Sequence, residues 1–138
     1  MATVKQATIK NTRQLAEANK ATGQVTTLGE ILVLTAGLAV PAASGATRAT
    51  LLGVCNETIS VADALTRVLY IVPSDEDTFI FSTTNATNAD HNGQDMIVGA
   101  NSTTINNTGT TSAVGIVRQV EPYGATGDNL IIGKFITV

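Results

Sequence analysis

The sequence predicts an all-β protein: a small β-barrel or β-sandwich with an extended N-terminal arm. Three observations carry that expectation. Only 14% of the 138 residues are charged, where about 25% is ordinary, and strand-forming Thr and Val with turn-forming Gly and Asn take their place. After Gly29 the chain breaks into short apolar runs separated by turn residues, the spacing of a barrel or sandwich. Before that point the pattern is different and the charge reverses.

The length predicts one compact domain, large enough to bury roughly 65–70% of its unfolded surface without staples. Residues 1–27 read as an extended basic arm and residues 28–138 as the β-domain. Lys5, Lys10, Arg13 and Lys20 stand against Glu17 alone in residues 1–20, a net of +3. The rest of the chain carries four basic and ten acidic residues, a net of −6. A solvated tail and an arm lying on an acidic neighbour both fit this division. The apolar content of the arm is thin, and a helix over Thr12 to Lys20 is too short to stand alone in water. The arm is therefore expected to need a partner. Val4, Ile9 and Leu15 are the candidate apolar anchors, with Lys5, Lys10 and Arg13 facing carboxylates.

The elements of the domain follow in order. EILVLT, Gly37 and LAVPAA read as a strand, a turn and an edge segment, because Pro41 cannot donate to a ladder. ATLLGVC and RVLYIVP flank ETISVADALT. Val61, Leu65, Val68 and Leu69 also fit a helix starting at Ser60. The continuous β-branched and aromatic run ending at Pro73 favours a hairpin instead. DTFIFSTT, DMIVGA, AVGIVRQVEP and LIIGKFITV read as further strands, with YGATGDN as a turn.

NADHNGQD, residues 88–95, holds the chain's one histidine, His91. A calcium loop would place Asp90 and Asn92 well, but Gly93 comes too early and Ala100 stands nearest the closing Glu position. A zinc site needs more His or Cys than one of each. Asn92-Gly93 is therefore read as a type I′ hairpin turn joining FIFSTT to DMIVG. Cys55, the single cysteine, lies in apolar LLGVC and reads as a buried hydrophobe. A Cys55–His91 nucleophile pair lacks an orienting third group. Asp75, Glu76 and Asp77 read as solvated charge after a turn rather than as an acid–base pair. The chain has no phosphate loop. Its acidic body and sparse aromatics argue against nucleic acid. No apolar run reaches membrane-spanning length and the start lacks the apolar core of a signal peptide, so synthesis in a host cytoplasm and no membrane partner are expected. No catalytic, cofactor-binding or metal residue is expected, and the chain reads as a non-enzyme.

GEILVLTAGLAVPAASGATRATLLGVCNETISVADALTRVLYIVP resembles the small head-decoration (cement) proteins of tailed bacteriophages. Leu52-Gly53-Val54 and Val68 to Pro73 carry the likeness, with Val98-Gly99, Asn106 and the closing GDNLIIGKFITV. The resemblance spans about residues 28 to 138. It implies a β-barrel-like structural protein on the capsid exterior of the virion. Its partners would be the major capsid protein and neighbouring copies of itself, as a homotrimer or other homo-oligomer, with an arm that grips the shell. The chain departs from the family pattern in its longer arm and its Asn/Thr-rich loop at 101–112. The alternative is a head-fibre or tail-associated module that binds host glycans through that loop. A glycan platform usually offers an aromatic, and the loop has none.

Overall fold

The computed structural model describes residues 14–74, 76–108, 113–125 and 127–136, and the backbone of residues 5–8. Among them the chain is almost wholly β. Its strands are β1 (Lys5–Thr8), β2 (Leu15–Asn19), β3 (Ile31–Thr35), β4 (Leu38–Pro41), β5 (Leu51–Cys55) and β6 (Arg67–Ile71). The second half adds β7 (Thr78–Thr83), β8 (Asp95–Met96), β9 (Thr104–Ile105), β10 (Val117–Pro122) and β11 (Leu130–Phe135).

Two sheets form. The first has the order β1-β7-β11-β10-β8, with β9 running parallel beside the end of β7. It nearly closes on itself. Just past β8, Val98 bridges Ile105, and Gly99 N–H donates to Thr104 O at 2.7 Å. The path from β7 through β11, β10 and β8 therefore returns to β7 by way of β9, as in a barrel. The second sheet has the order β2-β6-β5-β3-β4. Its two outermost strands, β2 and β4, come within 8 Å of each other between Cα atoms, so it is strongly curled.

Period-2 patterning explains which faces are buried. TFIFST in β7 and LIIGKF in β11 bury every second residue, as a half-buried strand requires. Phe79, Phe81 and Phe135 meet inside the near-barrel, and they are all the phenylalanines the chain has. Phe135 stands edge-on to both others, at 5.1 Å and 5.2 Å between ring centroids. Met96, Val98, Ile105, Ile116, Val117 and Ile131 complete this core from the same sheet. Ile31, Val33, Val54 and Ile71 enter it from one face of the curled sheet. The opposite face of that sheet holds a smaller cluster of Leu32, Ala39, Cys55, Ile59 and Val68.

Two turns and one close approach show how sequence sets the geometry. Ala36 and Gly37 both have positive φ, 51° and 80°, which gives β3–β4 the two-residue type I′ hairpin that matches strand twist. β4 is the edge strand, as Pro41 requires. Gly53 lies where β5 crosses β6. A Cβ there would overlap the Ile71 carbonyl oxygen and stand 3.0 Å from the Tyr70 ring, so no larger residue fits. β5 and β6 pair antiparallel through Val54↔Ile71 and Cys55↔Tyr70, the hairpin read from the sequence. Ser60 and Asp63 form only a turn within its loop, with Ser60 N–H donating to Asp63 Oδ2 at 3.0 Å.

The division expected at residue 27 differs from the structure. β2 pairs with β6 over five residues, Leu15↔Ile71 to Asn19↔Arg67, and Lys20 and Thr26 are buried. Residues from 15 onward belong to the curled sheet, because β6 would otherwise present an open edge on that side.

Candidate interaction surfaces

The arm residues separate on inspection. Val4, Ile9, Lys10 and Arg13 lie outside the described residues. The backbone of Lys5 pairs with Ile80 at the start of β1. Leu15 opens β2 and is 47% exposed. β1 and β2 thus extend different sheets, β7 and β6 respectively. Lys20 ends the segment with its ammonium turned inward, donating to Leu65 O at 2.7 Å and Ala21 O at 3.3 Å. Charge alone gave no sign of this: a buried Lys is uncommon, and here it ties the β2–β3 connection to the β5–β6 loop.

Those two connections carry four exposed apolar side chains. They are laced together at one end of the curled sheet. Thr26 and Ile59 exchange backbone hydrogen bonds at 3.1 Å and 3.0 Å, Thr26 Oγ1 donates to Glu57 O at 2.9 Å, and Leu28 N–H donates to Thr58 Oγ1 at 3.0 Å. Val25 and Leu28 project from one loop, Val61 and Leu65 from the other, all substantially exposed. Beside Leu65 runs a shallow cleft of about 170 Å³ lined by Glu17, Glu57, Arg67, Val68 and Leu69. At the opposite end of the same sheet Leu34 and Leu38 flank the Ala36-Gly37 turn and are also exposed. Exposed apolar side chains gathered on neighbouring loops mark a contact surface more often than scattered ones do.

The Asn/Thr-rich segment is different in kind. Asn101 Oδ1 accepts from Thr103 N–H, Thr103 Oγ1 and Thr104 Oγ1 at 3.1, 2.8 and 2.9 Å. Asn107, 2% exposed, accepts from Asn85 N–H at 2.8 Å and donates to Asn85 O at 3.0 Å. Ser102 donates to Glu30 Oε2 at 2.8 Å and accepts from Ile31 N–H through its carbonyl, also at 2.8 Å. The polar groups of 101–107 serve the fold by tying the near-barrel to β3. Residues 109–112 lie outside the described residues.

The 88–95 segment turns, but in its own way. β7 and β8 do not pair with each other; β8 pairs with β10. Residues 88–94 are thus a crossing loop rather than the expected hairpin. After a short 3-10 turn at Ala89–His91, Asn92 has φ −58° and ψ 133°, and Gly93 has φ 84°. Gln94 N–H closes the turn onto His91 O at 3.0 Å. This is the type II pattern, with positive φ at the second central residue only, in place of type I′. The cause is Gln119 on β10. Its side chain donates to Asn88 O and Asn92 Oδ1, both at 2.9 Å, and its carbonyl accepts from Gly93 N–H at 2.8 Å.

The groups with chemical potential are not assembled. Cys55 lies in the smaller core of the curled sheet and His91 in the loop against β10. Burial pushes the Cys55 thiol above its ordinary pKa, and its Sγ donates to Glu57 O at 3.0 Å. Asp95 is gripped by Arg118 at 2.7 Å and Arg48 at 3.3 Å, and the Arg118 pKa is raised by the hydrogen bond and charge of Asp95. Arg48 also donates to Gly115 O at 2.9 Å. It therefore enters a cleft of about 390 Å³, lined with Leu51, Leu52, Val72, Pro73 and Ile136, as a committed structural cation. Among the described residues no group of three or more His, Cys, Asp or Glu side chains is placed to hold a metal, and no helix is long and apolar enough to cross a membrane.

No protein-family model matches this chain, and no curated protein matches it.

Proposed function

We propose that this chain is a phage virion structural protein: a capsid decoration protein that binds the outer surface of the shell, beside copies of itself, and stabilises it. The observation that carries the reading is the exposed apolar patch of Val25, Leu28, Val61 and Leu65 on two loops fastened to each other. A β-domain whose amides and hydroxyls at 101–107 bond within the fold suits a protein that adheres rather than reacts. Each contact is modest, and repetition over a shell supplies the strength, because linked sites raise effective concentration. The basic N-terminal residues add a second point of attachment, with capsid carboxylates as their partners.

Glycan binding through residues 101–112 is the weaker reading. The amides and hydroxyls of 101–107 that would meet a sugar already bond to one another and to Glu30 and Asn85. The deciding experiment adds purified protein to shells that lack it and images the particles. Many copies spread over the shell, with raised resistance of the particle to heat, are expected. Attachment of a few copies at one vertex, or none, would refute decoration.

A further inference from the structure

Asn92-Gly93 is the chain's single Asn-Gly pair, and both residues are exposed. Such a pair is chemically fragile. The backbone nitrogen of the glycine attacks the side-chain carbonyl carbon of the asparagine. A bond forms between that nitrogen and Cγ, the nitrogen releases its proton, and the side-chain amide leaves as ammonia. Water then opens the five-membered imide at either carbonyl, leaving aspartate or isoaspartate. No electrons are gained or lost. Glycine is the most permissive residue in the second position, since it has no Cβ to block the approach.

Three features of this fold oppose the reaction. Gly93 N–H, the attacking group, is held by Gln119 O at 2.8 Å. Asn92 Oδ1, on the carbon to be attacked, is held by Gln119 Nε2 at 2.9 Å. Ring closure also requires the Gly93 nitrogen to eclipse Cβ of Asn92, and at a ψ of 133° it is turned well away. Both hydrogen bonds come from one residue, and Gln119 is itself 1% exposed. A buried glutamine is uncommon; clamping the 88–94 loop gives it a purpose.

We propose that Gln119 guards Asn92-Gly93 against deamidation. Position 92 is then a latent modification site that reacts only when the loop lifts from β10. Those two hydrogen bonds alone hold back that opening by about thirtyfold (about 2 kcal/mol), and Gln119 ties the loop twice more, at Asn88 O and Gln94 O.

The test incubates the protein at neutral pH, native and in urea, and follows isoaspartate and the loss of ammonia in the peptide containing residue 92. The native rate is expected to be lower by at least about thirtyfold; rates within about threefold of each other would overturn the proposal. Gln119→Met keeps the volume and the backbone carbonyl but loses the amide. It should deamidate about thirtyfold faster than the parent in the native state, the share of the two hydrogen bonds the amide makes to Asn88 O and Asn92 Oδ1, while Cys55 stays protected from alkylation in the same sample. An unchanged rate would remove Gln119 from the explanation. Hydrogen exchange at the Gly93 amide of the unaltered protein decides the matter even if that variant does not fold: strong protection supports the guard and free exchange refutes it.

Discussion

For the proposed decoration role, replacing the four exposed apolar side chains of the laced loops with polar ones of similar size should weaken binding to a capsid shell and leave the fold alone. Val25, Leu28, Val61 and Leu65 are 46%, 53%, 71% and 50% exposed. Together they leave about two whole side chains of apolar surface to be covered. Burying a Val or Leu completely is worth about 1.5–3 kcal/mol, which sets a ceiling of about 3–6 kcal/mol. Contact covers only part of each side chain and association has its own costs, so about 2–3 kcal/mol should be lost. That corresponds to a roughly 30- to 150-fold weaker Kd per site. The variant is Val25→Thr, Leu28→Gln, Val61→Thr and Leu65→Gln, measured by titrating labelled protein onto bare shells. Urea midpoints should move little, since exposed substitutions usually change stability by under about 0.5 kcal/mol each. Full occupancy with an affinity within about threefold of the parent would refute the assignment of this patch.

Further outcomes follow from the same structure. Phe135→Ala should cost about 4–5 kcal/mol in urea unfolding, the upper part of the range for a core phenylalanine, because the ring also gives up two edge-on contacts; a loss below about 2 kcal/mol would mean the core refills the space. Deleting residues 2–13 should leave the melting curve cooperative and weaken shell binding, with more of the loss at low salt. Deleting residues 2–20 should unfold the curled sheet, since it removes β2 and Lys20. Native Cys55 should alkylate slowly and unfolded Cys55 quickly. Its raised pKa means the fold favours the neutral thiol. That stability is complete below the unfolded thiol's pKa and is lost as pH rises through the folded one. Melting temperature should therefore fall over that alkaline range, and less so in Cys55→Ala.

What was legible in the sequence was what depends on near neighbours. The alternation in TFIFST and LIIGKF, the edge role of Pro41 and the hairpin ending at Pro73 all follow from local pattern. The conformation at Asn92 was not legible, because Gln119 decides it from 27 positions along the chain. The type I′ turn went to Ala36-Gly37, a pair whose first residue seldom adopts positive φ. There the strands on either side do pair, which those flanking Asn92-Gly93 do not. Lys20 read as part of a basic tail, since nothing in its own stretch foretells the Leu65 carbonyl. The loop patch was also hidden: Val61 and Leu65 look like core residues by spacing, and only the loop's geometry turns them outward.

The position of β11 sets a timetable. Residues 130–135 come last among the described strands, yet they lie in the middle of the first sheet, between β7 and β10. A chain emerging from the ribosome can zip β5 to β6 early, but β7 and β10 must wait beside an empty slot until residues 130–135 have left the ribosome. Pairings between distant segments form slowly, and unpaired strands are vulnerable while they wait. A nascent chain whose residues 130–135 are still inside the ribosome would therefore carry two sticky edges, whereas one in which they have emerged can complete the sheet.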